Sequence, residues 1–189
     1  MELLKNLIVS QGEVKNSSLL RVDSFLNHQI DPNLMFEIGQ EFKRRFAEEK
    51  ITKILTIEAS GIAIGIMVAY AFNVPLLFAK KKKPSTMSNS YNVTVHSFTK
   101  QSDYNITVSK EYLSPEDRIL IVDDFLAVGN AVLGLKNIVE EAGAKVAGVG
   151  IVVEKGFQKG GDLLREQGMR VESLAIIDSL EGDKITFRK

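Results

Sequence analysis

The amino-acid sequence predicts an α/β domain built on a mostly parallel, twisted sheet flanked by helices. Two observations carry this. Short, nearly continuous apolar segments rich in β-branched residues recur along the chain, as in strands covered on both faces. Between them lie stretches whose apolar residues return every three or four positions, the period of a core-facing helix. A chain of 189 residues suits one such domain, so residues 1–189 read as a single unit.

Taken in order, residues 1–30 form an irregular or helical appendage with mixed apolar residues, Phe25 and Leu26 among them, that are candidates for base binding or self-association. Asp31-Pro32 reads as an N-cap followed by proline at the first helical position, where its missing N–H does no harm. Met35, Ile38, Phe42 and Phe46 then mark a helix stripe. Strands are expected at Ile54 to Ile57, Val74 to Ala79, Ile119 to Val122, Val146 to Val153 and Val171 to Ile177. A helix follows the third of these, from about Asn130 to Ala142, with Gly143 as a left-handed stop. Residues 84–109 differ: they are rich in Ser, Thr and Asn, with alternation at Val93, Val95 and Ser97 and again at Ile106 and Val108. They read as a two-stranded ribbon, and an excursion of this length in a compact domain is usually a functional lid.

Composition narrows the chemistry. Zero cysteines exclude a disulfide framework, a thiolate nucleophile and a cysteine-ligated metal. Two histidines, His28 and His96, leave little room for a histidine triad, and both read as structural or surface residues. With 24 basic and 24 acidic side chains, the chain as a whole is no electrostatic footprint for nucleic acid. The start shows no secretory pattern, and the longest apolar run, Gly61 to Phe72, falls short of the ~20 residues a membrane span needs. A soluble, cytoplasmic domain is the expectation.

The strongest local signal runs from Ile119 to Ala131: an apolar strand, then Asp123-Asp124, then a small loop containing Gly129 that opens a helix. Ligands of parallel sheets collect at the carboxyl ends of strands, which places both aspartates beside a substrate. The loop and the helix that follows offer backbone N–H groups to a phosphate. Two carboxylates beside an anion loop suit a phosphorylated sugar. Glu58-Ala59-Ser60-Gly61 opens a second helix in the same way, with the Ser60 hydroxyl and Gly61 N–H as donors. Lys80 to Lys83 can supply a cation to a pyrophosphate; Lys155 can donate to a carbonyl oxygen, and Phe157 either stacks on a planar ring or packs in the core.

With these residues in hand, the chain resembles the type I purine phosphoribosyltransferases, through the Val122-Asp123-Asp124 to Ala131 motif. Val22 to Asp31, Glu58 to Ala63, Ser97-Phe98-Thr99-Lys100 and Val153-Glu154-Lys155 extend the likeness, most closely to the bacterial members that act on xanthine. The resemblance implies transfer of ribose 5-phosphate from phosphoribosyl pyrophosphate (PRPP) to N9 of xanthine, with magnesium as cofactor and a homodimer as the assembly. It implies that Ala127, Val128, Gly129, Asn130 and Ala131 bind the 5-phosphate and that Asp123 and Asp124 lie near the ribose hydroxyls. Leu20 and Asn27, in an N-terminal hood of residues 1–30, and Lys155 would contact the purine, and residues 84–109 would be a flexible lid. Two positions depart from the family pattern: Val128 replaces an asparagine, and Ile64 stands where a proline is usual. The same reaction on guanine or hypoxanthine, or a PRPP-sensing regulator without the reaction, remain as alternatives.

Overall fold

The computed structural model describes the whole chain except residues 16–18, 83, 84, 86, 98–101, 183 and 189. Phe98, Thr99 and Lys100 of the fourth motif, Lys83 of the lysine run and parts of the expected lid therefore lie outside the described residues.

The chain opens with helix α1 (Glu2–Gln11), the short pair β1 (Glu13–Lys15) and β2 (Leu19–Arg21), and one π-helical turn, Asp23–Asn27. Phe25 and Leu26 of that turn are buried, so these two residues hold the hood to the body and are not offered to a partner. Helix α2 (Pro32–Arg45) starts as its sequence requires: the Asp31 carboxylate accepts hydrogen bonds from the backbone N–H groups of Asn33 and Leu34 at 2.9 and 3.2 Å. Strand β3 (Lys53–Ile57), helix α3 (Gly61–Phe72) and strand β4 (Leu76–Ala79) follow. Ile64 is fully buried within a regular α3, so the absent proline leaves the helix intact.

The ribbon is β5 (Ser90–Ser97) paired antiparallel with β6 (Ser102–Ser109). Next come β7 (Arg118–Leu126), α4 (Asn130–Glu141), β8 (Lys145–Lys155), the short helix α5 (Gly160–Glu166), β9 (Val171–Glu181) and β10 (Lys184–Phe187). The central sheet has the order β10-β9-β8-β7-β3-β4 and is parallel except for β10, an edge strand that the apolar pattern does not announce. Gly143, at φ 74°, ends α4 as expected.

Two apolar cores lie on the two faces of this sheet, and the parity of β7 separates them. Leu120 and Val122 join the hood, α2 and α3 on one face; Ile119 and Ile121 join α4 and the ribbon on the other. On the first face the rings of Phe42 and Phe46 rest on Gly150 and Gly148 of β8, where any side chain would collide with them. On the second, Val95, Ile106 and Val108 are buried, so the inner side of the ribbon is anchored on α4.

Truncating the fully buried Phe42 removes that seat against bare β8 backbone. Phe42→Ala is expected to cost about 3–5 kcal/mol of unfolding free energy, read from urea denaturation.

Candidate active site

The site grows from the carboxyl end of β7. The sequence reading ends this strand at Val122 and puts the aspartates in the following loop; instead the strand runs on to Leu126. The cause is β8, which extends to Lys155 and pairs Asp123 with Ile151, Phe125 with Val153 and Leu126 with Glu154. Successive strand residues face opposite sides of a sheet. Asp124 accordingly turns to the hood, where the Asn27 amide nitrogen donates to its Oδ2 at 3.4 Å. Asp123 turns to the ribbon and α4, and its Oδ1 accepts the backbone N–H of Asp124 at 3.0 Å.

Both carboxyl groups are buried. Burial, and then the neighbouring Asp124 charge, push the Asp123 carboxyl well above the ordinary carboxylate range. The charge of Lys81 pulls in the opposite direction with less effect. Tyr104 of β6 faces the same carboxyl: burial raises its hydroxyl pKa first, and the charge of Asp123 adds to this. The Lys81 ammonium lies 5.6 Å from the centre of the Tyr104 ring. Its own backbone N–H donates to Glu58 Oε1 at 2.5 Å, which ties the lysine run to the loop before α3.

Beside Asp123 a cavity of about 130 Å³ is lined by Ala127, Val128, Gly129, Asn130 and Ala131, together with Tyr104 and His96. The five loop positions singled out in the sequence thus surround one space. Gly129 has φ +93°, a conformation that suits glycine, and it lets the chain turn from the strand into α4. The α4 N-terminus faces the cavity with backbone donors that no side chain caps. The Asn130 amide donates to the His96 carbonyl at 3.0 Å, fastening the ribbon to the loop.

Gly160, which the sequence reading passes over, supports the same loop from behind. Its N–H donates to Ala127 O at 3.1 Å, and a side chain there would stand 2.6 Å from the Val128 carbonyl carbon. The adjacent glycines 160 and 161 after a strand are the one sequence signal that points to this contact. His96, read as having no partner, pairs through Nδ1 with Asp103 Oδ1 at 2.7 Å. Ser60 precedes α3, but its hydroxyl does not cap that helix.

On the hood side, Lys155 ends β8, and burial lowers its ammonium pKa. The aromatic ring beside it is Phe125, 5.6 Å from Nζ, whereas Phe157 packs into the hood-side core. Asn27 is the more telling residue: its Oδ1 is buried and, among the described residues, has no hydrogen-bond partner. Leu20, by contrast, keeps its side chain in the hood-side core at 4% exposure. A cavity of about 710 Å³ opens at the amino ends of β3 and β4 and is lined by none of these groups.

Comparison with known proteins matches residues 27–177 to the phosphoribosyl transferase domain. The chain belongs to the phosphoribosyltransferase family. It is 56% identical to the xanthine phosphoribosyltransferase of Bacillus cytotoxicus over 99% of this chain and 95% of that one. Identity to the enzyme of the same name from Bacillus cereus is 54%, with the same coverage. Among solved structures, the adenine phosphoribosyltransferase of Saccharomyces cerevisiae aligns with a TM-score of 0.74 at 21% identity, over 92% of this chain and 98% of that one. The Leishmania tarentolae enzyme gives 0.74 at 19%, over 95% and 90%. These two share the type I phosphoribosyltransferase fold. No helix among the described residues is long and apolar enough to cross a membrane.

Asp123 offers a check on the electrostatics. A carboxyl whose pKa is raised by folding favours the folded state while protonated, and the penalty appears as pH rises from about 3.9 through the raised value. Asp123→Asn removes that penalty. Its thermal midpoint should lie above that of the parent at neutral pH, with the gap closing toward pH 4.

Proposed function

We propose that this phosphoribosyltransferase transfers ribose 5-phosphate from PRPP to N9 of xanthine, releasing XMP and pyrophosphate. One observation carries the reading: the buried pair Asp123 and Asp124 stands between an anion-binding loop on one face of the sheet and the Lys155–Asn27 corner on the other. The identity of 54–56% to xanthine phosphoribosyltransferases over nearly the whole chain supports xanthine as the base.

Breaking the bond between ribose C1 and pyrophosphate builds positive charge on the sugar ring and negative charge on the leaving group. Such a step calls for electrostatic positioning more than for a nucleophilic side chain. The backbone N–H groups of residues 127–131 hold the 5-phosphate. Because Val128 meets Gly160 through its main chain, a valine at this position leaves the frame of the loop in place. Asp123 and Asp124 fix the ribose hydroxyls, and their carboxylates favour the developing cation. Lys155 donates to the purine O6, and the unpartnered Asn27 Oδ1 accepts an N–H of the base. The bond from Asn27 to Asp124 joins the base to the sugar. The paired strands β5 and β6 close over the site and exclude water, held on α4 by Val95 and Ile106.

Magnesium fits this donor set. The buried carboxylates Asp123 and Asp124 are hard oxygen groups beside the position it would take. Substrate oxygens and waters would supply most of its ligands, as its octahedral geometry prefers. When bound, it neutralises charge on the pyrophosphate. The reading extends to a cytoplasmic homodimer, for which the exposed apolar residues Ile66 and Tyr70 of α3 supply a surface.

Incubating the protein with PRPP, magnesium and either xanthine, guanine, hypoxanthine or adenine, with products resolved by chromatography, tests the assignment. XMP is expected as the main product and AMP as a minor one. Nucleotide formation from none of the bases overturns the reading, and GMP or IMP in excess of XMP redirects it. Lys155→Ala should raise KM for xanthine by about tenfold or more, the loss of one charge-assisted hydrogen bond, and leave KM for PRPP nearly unchanged.

A further inference from the structure

Glu154 is a fully buried carboxylate beside the site, yet it lines no part of the phosphate cavity. It leaves β8 on the side opposite to Lys155. There its Oε1 and Oε2 accept a two-pronged pair from Arg165, at 3.0 and 2.7 Å, and Oε2 also accepts the Ser173 hydroxyl at 2.5 Å. Arg165 belongs to α5, as do the two glycines at its start. Gly161 passes so close to the Glu154 carboxylate that a side chain would overlap it. Gly160 bonds Ala127 O and lies under the Val128–Gly129 peptide, where a Cβ would be 2.8 Å from the Gly129 nitrogen. Leu164, one turn on, packs against Gly129.

A seven-residue helix has little stability of its own, so tertiary contacts set its position. A buried ion pair adds little net stability over apolar packing, but a bidentate arginine–carboxylate pair fixes orientation. The contacts run without a gap from Glu154 to α5 and from α5 to the loop. Resting on the reading that residues 127–131 hold the 5-phosphate, we infer that Glu154, Arg165 and Ser173 form a brace that sets the shape of the phosphate loop through α5. Glu154 and Arg165 are thereby positioning residues for PRPP, although neither touches it.

Calorimetric binding of ribose 5-phosphate, paired with steady-state KM values for PRPP and xanthine, tests the brace. Arg165→Met should weaken ribose 5-phosphate binding and raise KM for PRPP by about tenfold, with kcat and KM for xanthine within about twofold. Arg165→Lys, which keeps the charge without the fork, should recover part of the loss. If Arg165→Met fails to fold with Glu154 left unpaired, the neutral Glu154→Gln/Arg165→Met variant replaces it, with the same expectation. Lys53→Met is the control, because it removes a shielded ion pair to Asp117 at the opposite end of the sheet. Parental ribose 5-phosphate affinity in Arg165→Met or the double variant overturns the inference, as does an equal loss in Lys53→Met. Failure of the unmutated protein to bind ribose 5-phosphate overturns the loop assignment itself, and the brace falls with it.

Discussion

The pairing of β7 with β8 is the constraint on which the rest of the site depends. Because β8 runs to Lys155, β7 stays a strand through Leu126, and two adjacent carboxylates are held on a rigid pleat. Strand alternation then does what a loop would not: it sends Asp123 to one face and Asp124 to the other. The end of β8 likewise directs Lys155 to the hood side and Glu154 to Arg165 of α5. One register of parallel hydrogen bonds therefore orients four charged side chains in two opposed directions.

The arrangement carries an electrostatic cost. Asp123 is buried next to a second carboxylate, and its raised pKa records how unfavourable the charged pair is before a ligand arrives. Under the proposed function a developing cation calls for negative charge held away from water, the same environment that makes such charge expensive. Near it, among the described residues, are polar groups without protein partners. Asn27 Oδ1 on the hood side and the uncapped start of α4 on the other are two cases.

The elements outside the sheet are tied to it by specific contacts. The ribbon, read in isolation as an excursion, is seated by Val95 and Ile106 on the bare surface of Gly134 and fastened by Asn130 to the His96 carbonyl. The hood rests on buried Phe25 and Leu26 and reaches β7 through Asn27. The hood thus brings a polar group to the carboxylate strand, and the ribbon is tied to the loop at the start of α4.

The sequence by itself determined the alternation of strands and helices, the Asp31 cap, the Gly143 stop, the ribbon and the loop from Ala127 to Ala131. All of these follow from local periodicity and from backbone preferences that neighbouring residues set. Tertiary structure alone decided how far β7 extends, because a strand ends where its partner ends and not where its apolar run does. It decided that Phe125, and not Phe157, lies beside Lys155, since that depends on the register across two strands. It also placed Tyr104 and His96 at the cavity beside Asp123, set Gly160 behind its loop and turned the Leu20 side chain into the core. Contacts between residues distant in the chain leave no periodic trace, so only the folded arrangement of sheet, ribbon and α5 discloses them.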